Sequence, residues 1–152
     1  METYRKQAFC VIGREGSTRM GAGFIDRLWQ DFDAHCGELA PLALRNEQGN
    51  YVGFWGAMSD FSRSFQPWTD GFRNGLYLAG AECAADAEAP DGWTKWTIPA
   101  YEYLCVEADT LDVFPRVIRQ LEEERIPLAG AVHDFIRPSD KKRFMYFPIK
   151  RL

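Results

Sequence analysis

Aromatic side chains are frequent in this chain and occur in clusters. Its 152 residues include five tryptophans, eleven phenylalanines and six tyrosines. The densest group lies in residues 93–103, and a second group lies in residues 54–77. Large flat rings supply contact area at low entropic cost, and indole and phenol groups also carry a polar tip that can orient a guest. With few acid–base residues among them, these clusters predict a pocket that stacks on a flat or cationic organic molecule.

Size and composition fit one globular domain with a substantial core. The chain is 46% apolar and 26% charged, carries a net charge of -4 and has a pI of about 5.2. An acidic balance disfavours nucleic acid as a partner and is compatible with a hydrophobic or cationic aromatic small molecule. Because the sequence has neither an apolar run of roughly 18 residues nor a signal-peptide pattern at its start, we expect no membrane association and a cytoplasmic location.

No metal or cofactor motif is present in the sequence. The four cysteines, Cys10, Cys36, Cys83 and Cys105, are far apart and form no C-x-x-C pair, so we expect reduced thiols and no metal site. The glycines of residues 21–23 are not followed by the G-K-[ST] element of a phosphate-binding loop. We therefore expect no cofactor.

Alternation and turn signals predict strands in both halves of the chain. In the first half, strands are predicted for residues 7–15, 42–47, 51–58 and 75–83, with a loop at 59–73. Residues 84–91 resemble a linker. In the second half, a long strand is predicted for 93–107, bent at Pro99 because proline removes a ladder donor. Further strands are predicted for 128–136 and 144–149.

Two segments show the 3.6-residue period of amphipathic helices. Ser17 or Thr18 can cap the first helix, and its apolar face consists of Phe24, Leu28, Trp29 and Phe32. Asp109 or Thr110 can cap the second helix, and its apolar face consists of Phe114, Val117, Ile118 and Leu121.

This element order predicts an α+β fold built from duplicated β-α-β-β modules. We expect an antiparallel sheet with two helices on one face and a ligand cleft at the junction of the modules. The whole chain, 1–152, would form a single domain, with module one at about 5–84 and module two at about 92–150.

Several stretches of the chain resemble one known family. They are residues 75–82 (GLYLAGAE), 92–101 (GWTKWTIPAY), 127–135 (PLAGAVHDF) and 144–150 (FMYFPIK). On these residues the chain resembles the GyrI-like small-molecule-binding domains, whose fold also forms the effector-binding part of AraC-type and BmrR-type regulators. The stretch 55–60 (WGAMSD) further resembles a stand-alone subfamily similar to the cyclopropanoid cyclopropyl hydrolases. That resemblance implies an aromatic cage in which water opens the cyclopropane ring of DNA-alkylating natural products.

The last module departs from the family pattern at one acidic position. Many family members have a glutamate in a short E-x-Y element, whereas residues 132–135 here are V-H-D-F. The acid is therefore Asp134, or it is absent if His133 holds the aligned position. The chain also has no room for a helix-turn-helix domain, so we expect no direct control of transcription.

Candidate site residues follow from the aromatic clusters and from the acids near them. Ligand-binding candidates are Trp55, Tyr77, Trp93, Trp96, Tyr101 and Phe147, and catalytic candidates are Glu82, Tyr103 and Asp134. Trp93 and Trp96 are three residues apart on a predicted strand, so their side chains should point to opposite faces, and Trp96 is the favoured one. A carboxylate in an aromatic pocket is costly unless it is paired; Glu82, at the module junction, is the first choice.

Three functions remain open at this point. The first is stand-alone binding of planar or cationic aromatic compounds, including xenobiotics, as in multidrug binding. The second is hydrolysis of a cyclopropanoid in the same cage, where aromatic faces stabilise positive charge and a tyrosine or an acid holds a carbonyl or water. The third is inhibition of a protein partner such as gyrase, motivated by the acidic balance and by the aromatic loop at 59–73.

Overall fold

The computed structural model describes residues 2–152 as one antiparallel sheet with helices on one face. The strands are β1 (Glu2–Lys6), β2 (Phe9–Ser17), β3 (Phe54–Ser59), β4 (Leu76–Cys83), β5 (Thr94–Ile98), β6 (Tyr101–Glu107), β7 (His133–Ile136) and β8 (Arg143–Arg151). The helices are α1 (Phe24–His35), the short turn α2 (Thr69–Phe72) and α3 (Val113–Glu123), and two 3-10 turns lie at Thr18–Met20 and Cys36–Leu39. The α+β class is confirmed.

The sheet consists of two halves with the same internal order. Its strand order is β1-β6-β8-β7-β3-β4-β2-β5. In one half, β2, α1, β3 and β4 follow one another along the chain, and in the other half β6, α3, β7 and β8 do the same. The halves join where β3 pairs with β7. The predicted β-α-β-β repeat is therefore visible in the order of the elements.

Two short connections force the sheet to coil. Only residues 7–8 separate β1 from β2, and only residues 99–100 separate β5 from β6, yet the strands of each pair are six places apart in the sheet. Six spacings in a flat sheet would cover about 29 Å, whereas two intervening residues reach about 11 Å. Lys6 pairs with Tyr101, and Phe9 pairs with Ile98, so the two connections run side by side. The sheet therefore closes around a concave face.

The helices cover the opposite, convex face. Under α1 the sheet buries Ile12, Tyr77, Ala79 and Ala81 against Phe24, Leu28 and Phe32. Under α3 it buries Leu104, Val132 and Phe147 against Val113, Val117 and Leu121. Because side chains alternate along a strand, every second residue of the same strands must face the concave side.

The structure differs from the sequence-based elements at four places. Residues 93–107 form two strands in different halves of the sheet, because Pro99 lacks the N–H that would continue one ladder. Residues 42–53 contribute only isolated bridges at Ala43, Arg45 and Tyr51. Ser17 caps the 3-10 turn, whereas α1 begins after Gly23, which has a left-handed φ of 78°. Strand β1 was not predicted at all.

We predict that Gly13→Ala destabilises the fold. Gly13 and Gly80 are register partners on β2 and β4, and a Cβ at Gly13 would overlap the backbone carbonyl group of Ala79. The strands would have to shift, which should lower the free energy of unfolding by about 1–3 kcal/mol. Urea denaturation measures this change.

Gly37→Ala is the matched control, because a Cβ at Gly37 would meet open space. Its free energy of unfolding should stay within about 0.5 kcal/mol of the parent's. Equal urea midpoints for the two variants would contradict the close approach of β2 and β4.

Candidate functional site

Aromatic rings from both modules meet on the concave face. This concave cluster comprises the buried residues Phe9, Val11, Trp55, Ala57, Leu76, Leu78, Trp96, Ile98, Tyr101 and Tyr103, with Phe61, Phe65, Ala129, Phe135 and Tyr146 packed against them. Trp55 lies at its centre: its ring centroid is 4.9 Å from that of Phe9, 4.7 Å from that of Phe135 and 5.0 Å from that of Tyr146. Strand alternation brings these rings together from β2, β3, β7 and β8.

Five of the residues singled out from the sequence lie on this face. Trp55, Trp96, Tyr101 and Tyr103 belong to the concave cluster, and Glu82 contacts it through the Trp55 indole. Trp93 and Trp96 point to opposite faces of the sheet, as their spacing requires.

The other four candidates lie on the convex face. Trp93 packs beneath α1 with its ring 6.1 Å from Phe32, and Phe147 packs beneath α3. The Tyr77 hydroxyl donates to Oδ2 of Asp134 at 3.0 Å. Burial raises the pKa of Tyr77 well above its usual value, with a smaller contribution from the Asp134 charge, and burial also raises the pKa of Asp134. These two groups thus satisfy each other away from the concave cluster.

Glu82 brings a buried carboxylate to the concave cluster, and this carboxylate is paired. Glu82 is only 8% exposed to solvent. Oε1 accepts a hydrogen bond from Nε1 of Trp55 at 2.9 Å, and Oε2 accepts one from Nζ of Lys6 at 3.1 Å. The Lys6 ammonium also lies 4.5 Å from the ring centroid of Phe9 and 5.8 Å from that of Trp55. The cost of burying the carboxylate is therefore offset by an ion pair and an indole donor.

Several buried polar atoms in the cluster or directly beside it have no hydrogen-bond partner among residues 2–152. They are Nε1 of Trp96, the hydroxyls of Tyr101 and Tyr103, and Nε2 of His133. Leaving a buried donor unsatisfied costs about 1–3 kcal/mol, so such groups are rare and each calls for an explanation, such as a bound water or a ligand. The Tyr101 hydroxyl lies near Gly130, and burial raises its pKa despite the smaller, opposite effect of nearby Arg151.

His133 presents a hydrogen-bond donor to this face. The backbone N–H of Met58 donates to its Nδ1 at 3.0 Å. Complete burial lowers the pKa of His133 to about 3, so the ring is neutral at pH 7 and its proton is on Nε2. The ring centroid of Tyr103 lies 6.3 Å from that of His133. Burial raises the pKa of Tyr103, and the nearby Tyr101 and Glu82 raise it further, so its hydroxyl also remains a hydrogen-bond donor.

The loop of residues 60–75 covers part of the cluster. Phe65 packs on Trp96 with ring centroids 5.9 Å apart, and its backbone carbonyl accepts from the Ala131 N–H at 2.8 Å. Arg63 and Phe65 have left-handed φ values of 57° and 58°, which are unfavourable for residues with a side chain. Phe61 and Phe65 of this loop thus pack on the concave cluster, and the loop is held under local backbone strain.

Two surface clefts reach the concave cluster on either side of Tyr4. One, of about 380 Å³, is lined by Lys6, Phe9 and Glu82 among others. The second, of about 280 Å³, is lined by residues that include Phe135 and Tyr146. Tyr4, which is exposed on β1, borders both clefts. The N-terminal strand therefore lies across the entrance.

A third cleft lies on the convex face and competes as a site. Its volume is about 210 Å³, and its lining consists of Ile25, Met58, Pro67, Trp68, Phe72, Phe114, Val132 and Met145. The Trp68 indole already donates to the carbonyl oxygen of Leu76 at 2.9 Å. This cleft offers apolar contact but little to orient a ligand, so we favour the concave cluster.

Sequence reasoning missed four groups of the concave face. Alternation could have placed His133 beside Phe135, because the two are separated by one residue on β7. The same rule applies to Tyr146 on β8. Lys6 and Phe9 could not be assigned without β1 and the bend that follows it.

Comparisons of the sequence with models of known protein families and with curated proteins gave no match. Solved structures do share the fold. SAV2435 bound to tetraphenylphosphonium is similar with a TM-score of 0.67 and 13% identity, over 98% of this chain and 93% of that chain. An integron cassette protein from the mobile metagenome of Vibrio cholerae has a TM-score of 0.52 and 14% identity, over 99% and 95%.

EcmrR, in a complex with DNA, has a TM-score of 0.57 and 8% identity; the match covers 99% of this chain but 57% of the EcmrR chain. At these identities the likeness concerns the fold, and it is consistent with the GyrI-like fold expected from the sequence. Within residues 2–152, no helix combines the length and apolar composition needed to cross a bilayer.

We predict that His133 makes stability depend on pH. Its pKa is lower in the folded state, about 3, than the usual 6.5, so the unfolded chain binds a proton first as the pH falls. The contribution is fully present above pH 6.5 and is lost towards pH 3, by about 2 kcal/mol between pH 7 and pH 5. Urea denaturation of the parent and of His133→Gln at both pH values measures the difference.

The second histidine supplies the control. His35 is exposed at the end of α1, so His35→Gln should retain the parent's pH dependence. A parent and a His133→Gln variant that lose equal stability over this range would contradict a neutral, buried His133.

Proposed function

We propose that the protein binds flat aromatic small molecules in the concave cluster, which we call the chamber. The observation that carries this proposal is the meeting of buried rings from both modules beside unpartnered hydrogen-bond donors. Rings provide stacking area with little entropy loss, and a few donors fix orientation. The similar structure of SAV2435 with tetraphenylphosphonium, a compound with four phenyl rings, supports an aromatic ligand class.

Binding in the chamber requires a rearrangement of its cover. The rings of Trp55, Phe135 and Tyr146 contact one another, so a guest must separate them. The parts of the cover that can move at the lowest cost in free energy are the strained loop that carries Phe61 and Phe65 and the exposed strand β1. Burial of the guest's rings would replace the contacts that the chamber's own rings give up.

We predict that Trp55→Leu and Trp96→Leu each weaken ligand binding at least about tenfold, because each removes a ring that a guest would contact. Fluorescence polarisation with Nile red, a neutral flat dye, and rhodamine 6G, a cationic one, measures the affinity. Thermal denaturation identifies the folded variants.

Identical substitutions on the convex face are the controls. Trp93→Leu and Trp68→Leu should leave the dissociation constant within about twofold of the parent's, because these indoles lie under α1 and in the competing cleft. If neither dye binds saturably, or if only Trp68→Leu weakens binding, the chamber is not the ligand site.

A second candidate function is hydrolysis of a cyclopropanoid in the same chamber. Ring opening by water in a spirocyclopropyl dienone breaks a C–C bond and leaves negative charge on the former carbonyl oxygen. Buried donors aimed at that oxygen would stabilise the transition state. The unpartnered hydroxyl of Tyr103 and Nε2 of His133 favour this function, and Glu82 is the acid within reach of the chamber.

We predict that Tyr103→Phe slows formation of the water adduct at least about tenfold, since one donor to the developing oxyanion is lost. Mass spectrometry of a spirocyclopropyl dienone incubated with the protein detects the adduct. Tyr77→Phe, on the convex face, is the control and should convert at the parent's rate. Equal conversion with and without protein would leave binding as the only function of the chamber.

A further inference from the structure

The Lys6 ammonium occupies the position that a bound organic cation would take. Protein sites hold such cations with a carboxylate and with the faces of aromatic rings. Lys6 has all of these contacts: its Nζ is 3.1 Å from Oε2 of Glu82, 4.5 Å from the ring centroid of Phe9 and 5.8 Å from that of Trp55. The chain therefore supplies its own cation.

A free cation would have to displace a tethered one. Both oxygens of Glu82 are engaged, one by Lys6 and the other by Trp55. Lys6 is the last residue of β1, which pairs with β6 from Glu2 to Lys6. A group held on a short tether competes at an effective concentration in the millimolar range. Competition with Lys6 would thus weaken the binding of an incoming cation.

The remaining polar groups of the chamber favour the opposite kind of ligand. Nε1 of Trp96 and Nε2 of neutral His133 can only donate, and the buried hydroxyl of Tyr103 can also donate. None of the three has a partner in the part of the chain that the structure describes. A carbonyl oxygen on the guest would satisfy at least one of them, and a site built around such donors discriminates against guests that lack an acceptor.

We infer that the chamber selects uncharged aromatic compounds that carry a carbonyl oxygen and disfavours permanent cations, with Lys6 as the residue that sets this preference. The inference rests on the proposed function and specifies its ligand class. It separates this chain from SAV2435, whose solved structure contains a phosphonium cation.

Three tricyclic compounds of similar size separate the effect of charge from that of hydrogen bonding. Xanthone is neutral and has a carbonyl, xanthene is neutral and has none, and N-methylacridinium is a permanent cation. Calorimetric titration of the parent should give the tightest binding for xanthone, at least about tenfold tighter than N-methylacridinium. Tyr103→Phe should weaken the binding of xanthone several-fold and leave the affinity for xanthene unchanged.

Lys6→Met tests the role of the tethered cation directly. It retains the length of the side chain and removes its charge, so N-methylacridinium should bind at least about tenfold more tightly than to the parent. The dissociation constant of xanthone should change by less than about threefold. Glu82→Gln in the same variant should abolish the gain. Arg5→Met is the matched control, because Arg5 is on the same strand but faces Glu102; it should change neither affinity.

The outcomes distinguish this inference from the proposed function. If the parent binds N-methylacridinium as tightly as xanthone, or if Lys6→Met leaves their ratio unchanged, the selectivity is wrong while the binding function stands. If none of the three compounds binds to the parent or to Lys6→Met, the proposed function fails and the selectivity fails with it.

Discussion

The two-residue connections between distant places in the sheet are the constraint on which the rest of the structure depends. They bring β1 beside β6 and carry the chain directly into β2, while β5 continues into β6 in the opposite direction. An open sheet of this width would expose its second face, whereas the bend at residues 7–8 and 99–100 encloses it. Rings from both modules are buried there without a helix to cover them.

This enclosure also accounts for the polar chemistry of the chamber. The same bend that joins β1 to β2 places Lys6 against Glu82 and Phe9. The Lys6 ammonium thereby compensates the charge of the carboxylate, and the indole, imidazole and phenol donors have no hydrogen-bond partner among residues 2–152. Unsatisfied buried donors are costly in a native fold, and the ligand that we propose would satisfy them. The convex face, by contrast, satisfies Asp134 with Tyr77 and packs its apolar surface under helices.

Local signals in the sequence were sufficient for the fold class, for helices α1 and α3 and for the β-α-β-β order within each module, because amphipathic helices and alternating strands are encoded by neighbours in the chain. The side of the sheet on which Trp93 and Trp96 lie also followed from alternation alone. Strand β1 could not be predicted from alternation, because an exposed edge strand carries little apolar pattern and depends on pairing with β6, about a hundred residues later. Lys6 was missed for the same reason: its role depends on long-range closure.

The most direct test of the chamber is fluorine NMR of protein labelled with 5-fluorotryptophan. The five indoles give five resonances: Trp55 and Trp96 report on the chamber, Trp68 on the competing cleft, and Trp29 and Trp93 on the packing under α1. Addition of xanthone should shift the Trp55 and Trp96 signals in a saturable manner and leave the other three in place. A saturable shift of Trp68 with unchanged Trp55 and Trp96 would contradict a ligand site on the concave face.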